Sequence, residues 1–82
     1  MIRMGKESRL VPAEVVEEAV QFFGPGGMGL EIVDRADCCA RFEGAGGYVF
    51  VQGEENEGSK GSSVTIEGRE WDHQIKQFLQ KV

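Results

Sequence analysis

The sequence predicts an α+β fold: a two-layer sandwich in α-β-β-β-β-α order, a four-stranded antiparallel meander with two helices packed on one face. Three observations lead there. Segments 12–23 and 70–82 carry apolar residues at helical spacing. Between them, four short segments alternate or are rich in β-branched and aromatic residues. Short turn-forming links join most of these segments, which makes the strands antiparallel neighbours.

The first helix is "PAEVVEEAVQFF". Val15, Val16, Ala19, Phe22 and Phe23 form one stripe, and Glu14, Glu17, Glu18 and Gln21 fill the opposite face. Pro12 suits the first turn, where its missing N–H costs nothing. Gly24 and Pro25 end the helix, with Gly24 expected at positive φ. "LEIV" (30–33), "CCARFE" (38–43), "YVFVQ" (48–52) and "SVTIE" (63–67) are the strands. "DRAD" and "GAGG" are turns between them. The second helix is "EWDHQIKQFLQKV", with Trp71, Ile75, Phe78, Leu79 and Val82 on a single stripe. Its acidic start and basic end match the helix dipole.

The remaining segments are polar. Residues 1–10 hold Arg3, Lys6 and Arg9 against a single Glu7 and read as a flexible tail. Docking of that tail on an acidic partner is the weaker alternative. "GEENEGSKGS" (53–62) reads as a mobile acidic loop. A chain of 82 residues has room for one core, so residues 11–82 form a single domain.

The "GAGG" turn predicts pairing. With Glu43 opposite Tyr48, Phe42 meets Val49 and Ala40 meets Val51 on the helix side. The other face then carries Tyr48, Phe50, Arg41, Cys39, Thr65 and Val33, with Phe50 opposite Arg41 for a cation–π contact. Scattered surface apolar residues are ordinary. The sharper reading is an interface, most simply a two-fold homodimer.

Patterns that would carry chemistry are weak. Gly24, Gly26 and Gly29 fit G-x-G-x-x-G, but they follow a helix and precede a strand. A dinucleotide site needs the reverse order, with phosphate at a helix N-terminus. Cys38 and Cys39 are adjacent, cannot close a long loop, and would point to opposite faces of a strand. Arg41 beside Cys39 would activate that thiol mildly. His73 is the one histidine and falls off the apolar stripe. The cysteine spacing is wrong for chelation, so no metal is expected. Glu54, Glu55 and Glu57 lack the order of a calcium loop. The helix–strands–helix order resembles that of double-stranded RNA-binding domains. Glu70 and Asp72 stand where those domains place basic residues, so RNA binding is not carried over.

Net charge is −5, which argues against nucleic-acid and anionic-membrane partners. "MIRMGKESRL" has no apolar core of a secretory signal, so the default compartment is the cytoplasm, with reduced cysteines. The expectation is a small acidic cytoplasmic domain without cofactor, more a binding module than an enzyme. It self-associates, or binds another protein, through the open face at Tyr48, Phe50, Arg41, Cys39 and Thr65. The alternative is a small-ligand carrier or enzyme with a pocket at the sheet and Cys39 as a reactive thiol.

Overall fold

The computed structural model describes residues 1–58 and 60–82. Seven elements follow in order: β1 (Ile2–Ser8), α1 (Pro12–Phe23), β2 (Glu31–Arg35), β3 (Cys39–Gly44), β4 (Gly47–Glu55), β5 (Ser62–Arg69) and α2 (Asp72–Lys81). The class is α+β with an antiparallel sheet, but the sheet has five strands, in the order β1-β5-β4-β3-β2.

The fifth strand comes from the segment expected to be a tail. β1 pairs with β5 along its whole length, from Ile2↔Gly68 to Ser8↔Ser62. Its alternation is only half written in the sequence. Ile2 and Met4 pack against the core, but Lys6 and Ser8 hold the next two positions on that side. Both polar residues have a specific task. Lys6 Nζ donates to the Leu79 carbonyl at 2.7 Å, and Ser8 Oγ donates to the Val82 carbonyl at 2.8 Å. A cation thereby sits at the negative end of α2, where the helix leaves carbonyls unpaired. Lys6 is thus bound within the chain rather than held out toward a partner.

Strand boundaries also run past the expected ones at the acidic connection. Glu54 pairs with Ser63 and Glu55 with Ser62, so residues 53–55 belong to β4. Ladder hydrogen bonds to β5 outweigh the loop-like composition there. The rest of that connection includes Ser59, which lies outside the described residues.

Pairing of β3 with β4 follows the expected register: Glu43↔Tyr48, Phe42↔Val49, Arg41↔Phe50 and Ala40↔Val51. The turn between them is Ala45–Gly46, with φ of 50° and 81°. Two successive positive φ values mark the turn type whose twist matches a hairpin.

All core side chains lie on one face. Val15, Ala19 and Phe23 of α1 meet Phe42, Val49, Val51, Val64 and Ile66 of the sheet, and Ile75 and Phe78 of α2 complete the cluster. Phe23 stacks near Phe42 and Phe78, with ring centroids 5.6 and 5.2 Å apart. Two glycines let the helices come close. A Cβ on Gly68 would lie 2.6 Å from Ile75 Cδ1, and one on Gly53 would lie 3.1 Å from Pro12 Cα. α1 starts on a backbone cap. The Val11 carbonyl accepts the Glu14 and Val15 N–H groups, and Glu14 Oε1 accepts the Val11 N–H at 3.2 Å. Valine has no side-chain acceptor, so only half of a capping box is made.

α2 starts two residues later than the periodicity implies, at Asp72, after Glu70 at φ 79° and Trp71 at φ −121°. Glu70 in the left-handed region turns the chain from β5 into the helix. No helix among the described residues is long and apolar enough to cross a membrane.

Two outcomes are expected. Ala45→Asn relieves the cost of a left-handed alanine and raises stability by about 0.5–1 kcal/mol in denaturant melts. Deleting residues 1–8 strips the edge of β5 and the carbonyl partners of α2. The truncated chain should lose its cooperative thermal transition by circular dichroism, whereas a tail would be dispensable.

Candidate functional site

The face of the sheet away from the helices is an extended surface with aromatic side chains at its centre. β4 is the middle strand, and alternation turns Tyr48, Phe50 and Gln52 outward. Tyr48, Phe50, Arg41, Cys39 and Thr65 are all half-buried on that face, and Val33 lies 43% exposed at a β2 bulge between Ile32 and Asp34.

Arg41 does not stack on Phe50. Its guanidinium lies 4.5 Å from the centroid of the Tyr48 ring, the diagonal neighbour. The cause is Glu43, which pairs across from Tyr48 and accepts from Arg41 Nε at 3.1 Å. That ion pair draws the guanidinium along β3 to the Tyr48 row, within the diagonal reach of a long side chain. Tyr48 donates its hydroxyl to Glu67 Oε2 at 3.3 Å and also reaches Met1 Sδ at 3.4 Å. Phe50 is left without an aromatic or cationic cover of its own.

Register places further charges in line with it. Asp34 pairs with Arg41, Arg41 with Phe50, Phe50 with Glu67, and Glu67 with Arg3. Across the sheet the row therefore reads negative, positive, Phe50, negative, positive. The adjacent row is Glu31, Glu43, Tyr48, Arg69. Charge is antisymmetric about β4 across the whole Phe50 row, and in the Tyr48 row for Glu43 and Arg69. Sequence reasoning missed Glu67, Arg69, Arg3 and Asp34 as members of this face. Glu67 and Arg69 were accessible, being two and four residues from Thr65 on an alternating strand. Arg3 was not, because its segment was read as a tail.

Cys38 and Cys39 are disulfide-bonded to each other, and no free cysteine exists. The expected reduced, oppositely directed pair is thus overturned. β3 starts at Cys39, and Cys38 is an exposed turn residue, free of the strand alternation that would separate the two sulfurs. A bonded Cys39 offers no thiol for nucleophilic chemistry. His73 is exposed on α2, in the layer opposite Cys39, so no Cys-His pair forms. Among the described residues no group of three or more His, Cys, Asp or Glu side chains converges as metal ligands.

Most backbone N–H groups of the G-x-G-x-x-G segment are spent at the end of α1. Gly24, Met28 and Leu30 donate to the carbonyls of Val20, Phe22 and Phe23 at 2.9, 2.9 and 3.0 Å, and Gly27 and Gly29 donate to the Gly24 carbonyl. A phosphate cradle needs such donors free. Gly24 is at φ −72°, not at the expected positive value, and the left-handed residue is Gly29 at φ 87°. Glycine is required at position 24 for space, because a Cβ there would overlap the Val20 carbonyl oxygen.

Gly24→Ala should therefore lower stability by roughly 1–3 kcal/mol, as overpacking does. Nucleotide titration by calorimetry should give no heat for either the parent or the variant. Neither a protein-family model, nor a curated protein, nor a solved structure matches this chain, so its functional reading rests on the geometry of the open face.

Proposed function

We propose that this protein is a non-catalytic interaction module that self-associates through the open face of its sheet. The observation that carries the reading is the charge order about β4. A two-fold axis along β4 brings each row against its own reverse. Arg41 then meets Glu67 of a second copy, Asp34 meets Arg3, Glu43 meets Arg69, and Phe50 meets Phe50. Every charge in these pairs finds its opposite, and the two phenyl rings bury each other at the centre. Face-to-face packing of two sheets with nearly aligned strands is a common way to cover such surfaces. Net charge of −5 disfavours a polyanionic partner, so a second copy or another protein remains the class of partner. Cytoplasmic placement belongs to the same reading.

The alternative, a small-ligand carrier or enzyme with a pocket at the sheet, loses its reactive Cys39 thiol, since the two sulfurs are bonded.

Sedimentation equilibrium at high micromolar concentration tests the reading. The parent chain should sediment as a dimer. Arg41→Glu sets like charges against each other twice, by symmetry, and should weaken the dimer roughly tenfold or more. Adding Glu67→Arg to it restores opposite charges and should recover association. A strictly monomeric parent overturns the reading, and so does a double variant no stronger than the single one when both keep the parent circular dichroism spectrum.

A further inference from the structure

The Cys38–Cys39 bond has no architectural work to do. A disulfide stabilises a fold largely by closing a loop in the unfolded chain, and the gain grows with loop length. Here no residue separates the two cysteines, so no loop is closed. The turn is already held by other bonds. Ala36 N–H donates to the Cys39 carbonyl at 2.8 Å, and Gly53 N–H donates to the Cys38 carbonyl at 2.7 Å. Asp37 and Cys38 are the two residues at the tip of the β2–β3 hairpin.

The two cysteines differ in exposure. Cys38 is exposed and forms part of the wall of a surface cleft, and Cys39 is half-buried at the start of β3. The cleft lies between the start of α1, at Pro12, and the end of β4, at Gly53. Asp37, Glu54 and Glu55 line it, and among the described residues no Lys, Arg or His does. An incoming thiolate that carries a further negative charge meets three carboxylates there. One that carries a positive charge is attracted.

We propose that Cys38–Cys39 is a thiol–disulfide exchange site whose cleft selects thiols flanked by positive charge. The thiolate of the incoming thiol attacks Cys38 Sγ. The bond to Cys39 breaks, and Cys39 leaves as a thiolate that takes a proton from water. A second thiol of the same class, or the second thiol of a dithiol, attacks the mixed disulfide. It releases Cys38 and carries away the new disulfide. The protein gains two protons and two electrons, and two thiols become one disulfide. The partner class is a cationic thiol, in a small molecule or beside basic side chains on a protein. This assignment is independent of self-association at the open face.

The test uses the full chain purified without reductant. Alkylation under denaturing conditions, read by mass, should find no free thiol. Two free thiols overturn the proposal. Reduction is then timed with aminoethanethiol (cationic), 2-mercaptoethanol (neutral) and mercaptoacetate (anionic). Each rate is taken per thiolate and divided by its rate on a neutral small-molecule disulfide. The cationic reagent should lead the anionic one by about tenfold, as for other charge-steered encounters. Glu54→Gln/Glu55→Gln should shrink that ratio several-fold, and 0.5 M salt should do the same. A ratio near unity, or one that the double variant leaves unchanged, overturns the selection. The thermal midpoint should hold on full reduction, and its collapse would make the bond a structural staple instead.

Discussion

Two residues at positive φ, Ala45 and Gly46, hold β4 in register with β3, and both faces of the sheet follow from that register. β4 is the middle strand, so its outward and inward sides are shared by the strands on either flank. A slip of one residue would send Val49 and Val51 to water and bring Tyr48 and Phe50 under the helices. The same pairing that buries Phe42 against Val49 puts Arg41 beside Phe50. Core and open face are therefore one decision. The electrostatic order of the open face is a by-product of the packing that makes the fold.

The ends of the chain close the structure from the other flank. β1 covers β5, and its two polar core-side residues, Lys6 and Ser8, bond to carbonyls at the end of α2. Ser62, fully buried, donates to the Leu10 carbonyl at 2.8 Å and ties the linker after β1 to the start of β5. A chain this short has little core to spare, so contacts between residues more than fifty apart matter to it. Both helices pack on one face, and among the described residues no helix covers the other.

That uncovered face and the hairpin tip beside it present different chemistry. The face has aromatic side chains surrounded by charges of both signs, an arrangement suited to a self-complementary surface. The tip has a disulfide with carboxylates around it, an arrangement suited to exchange with a cationic thiol. Cys39 belongs to both, since it opposes Gln52 on the open face and bonds Cys38 at the tip.

The sequence by itself determined the two helices, the β2–β5 order and the register of β3 against β4. Those features are local: apolar period, glycine punctuation, and a short turn whose length sets pairing. Part of the candidate face was legible for the same reason, because alternation from Tyr48 and Phe50 fixes which neighbours point outward. Tertiary structure alone decided the rest. β1 exists because β5, far along the chain, offers an unpaired edge, and "IRMGKES" has too few apolar residues to announce a strand. Arg3 joins the open face only through that pairing. Arg41 chose Tyr48 over Phe50 because Glu43 holds it there. Gly24 needs to be glycine because a carbonyl oxygen lies where its side chain would be, not because of its φ. The two cysteines bonded because the turn, unlike a strand, lets neighbouring side chains meet. In each case the deciding partner is distant in sequence or set by side-chain geometry, and neither is written in a local pattern.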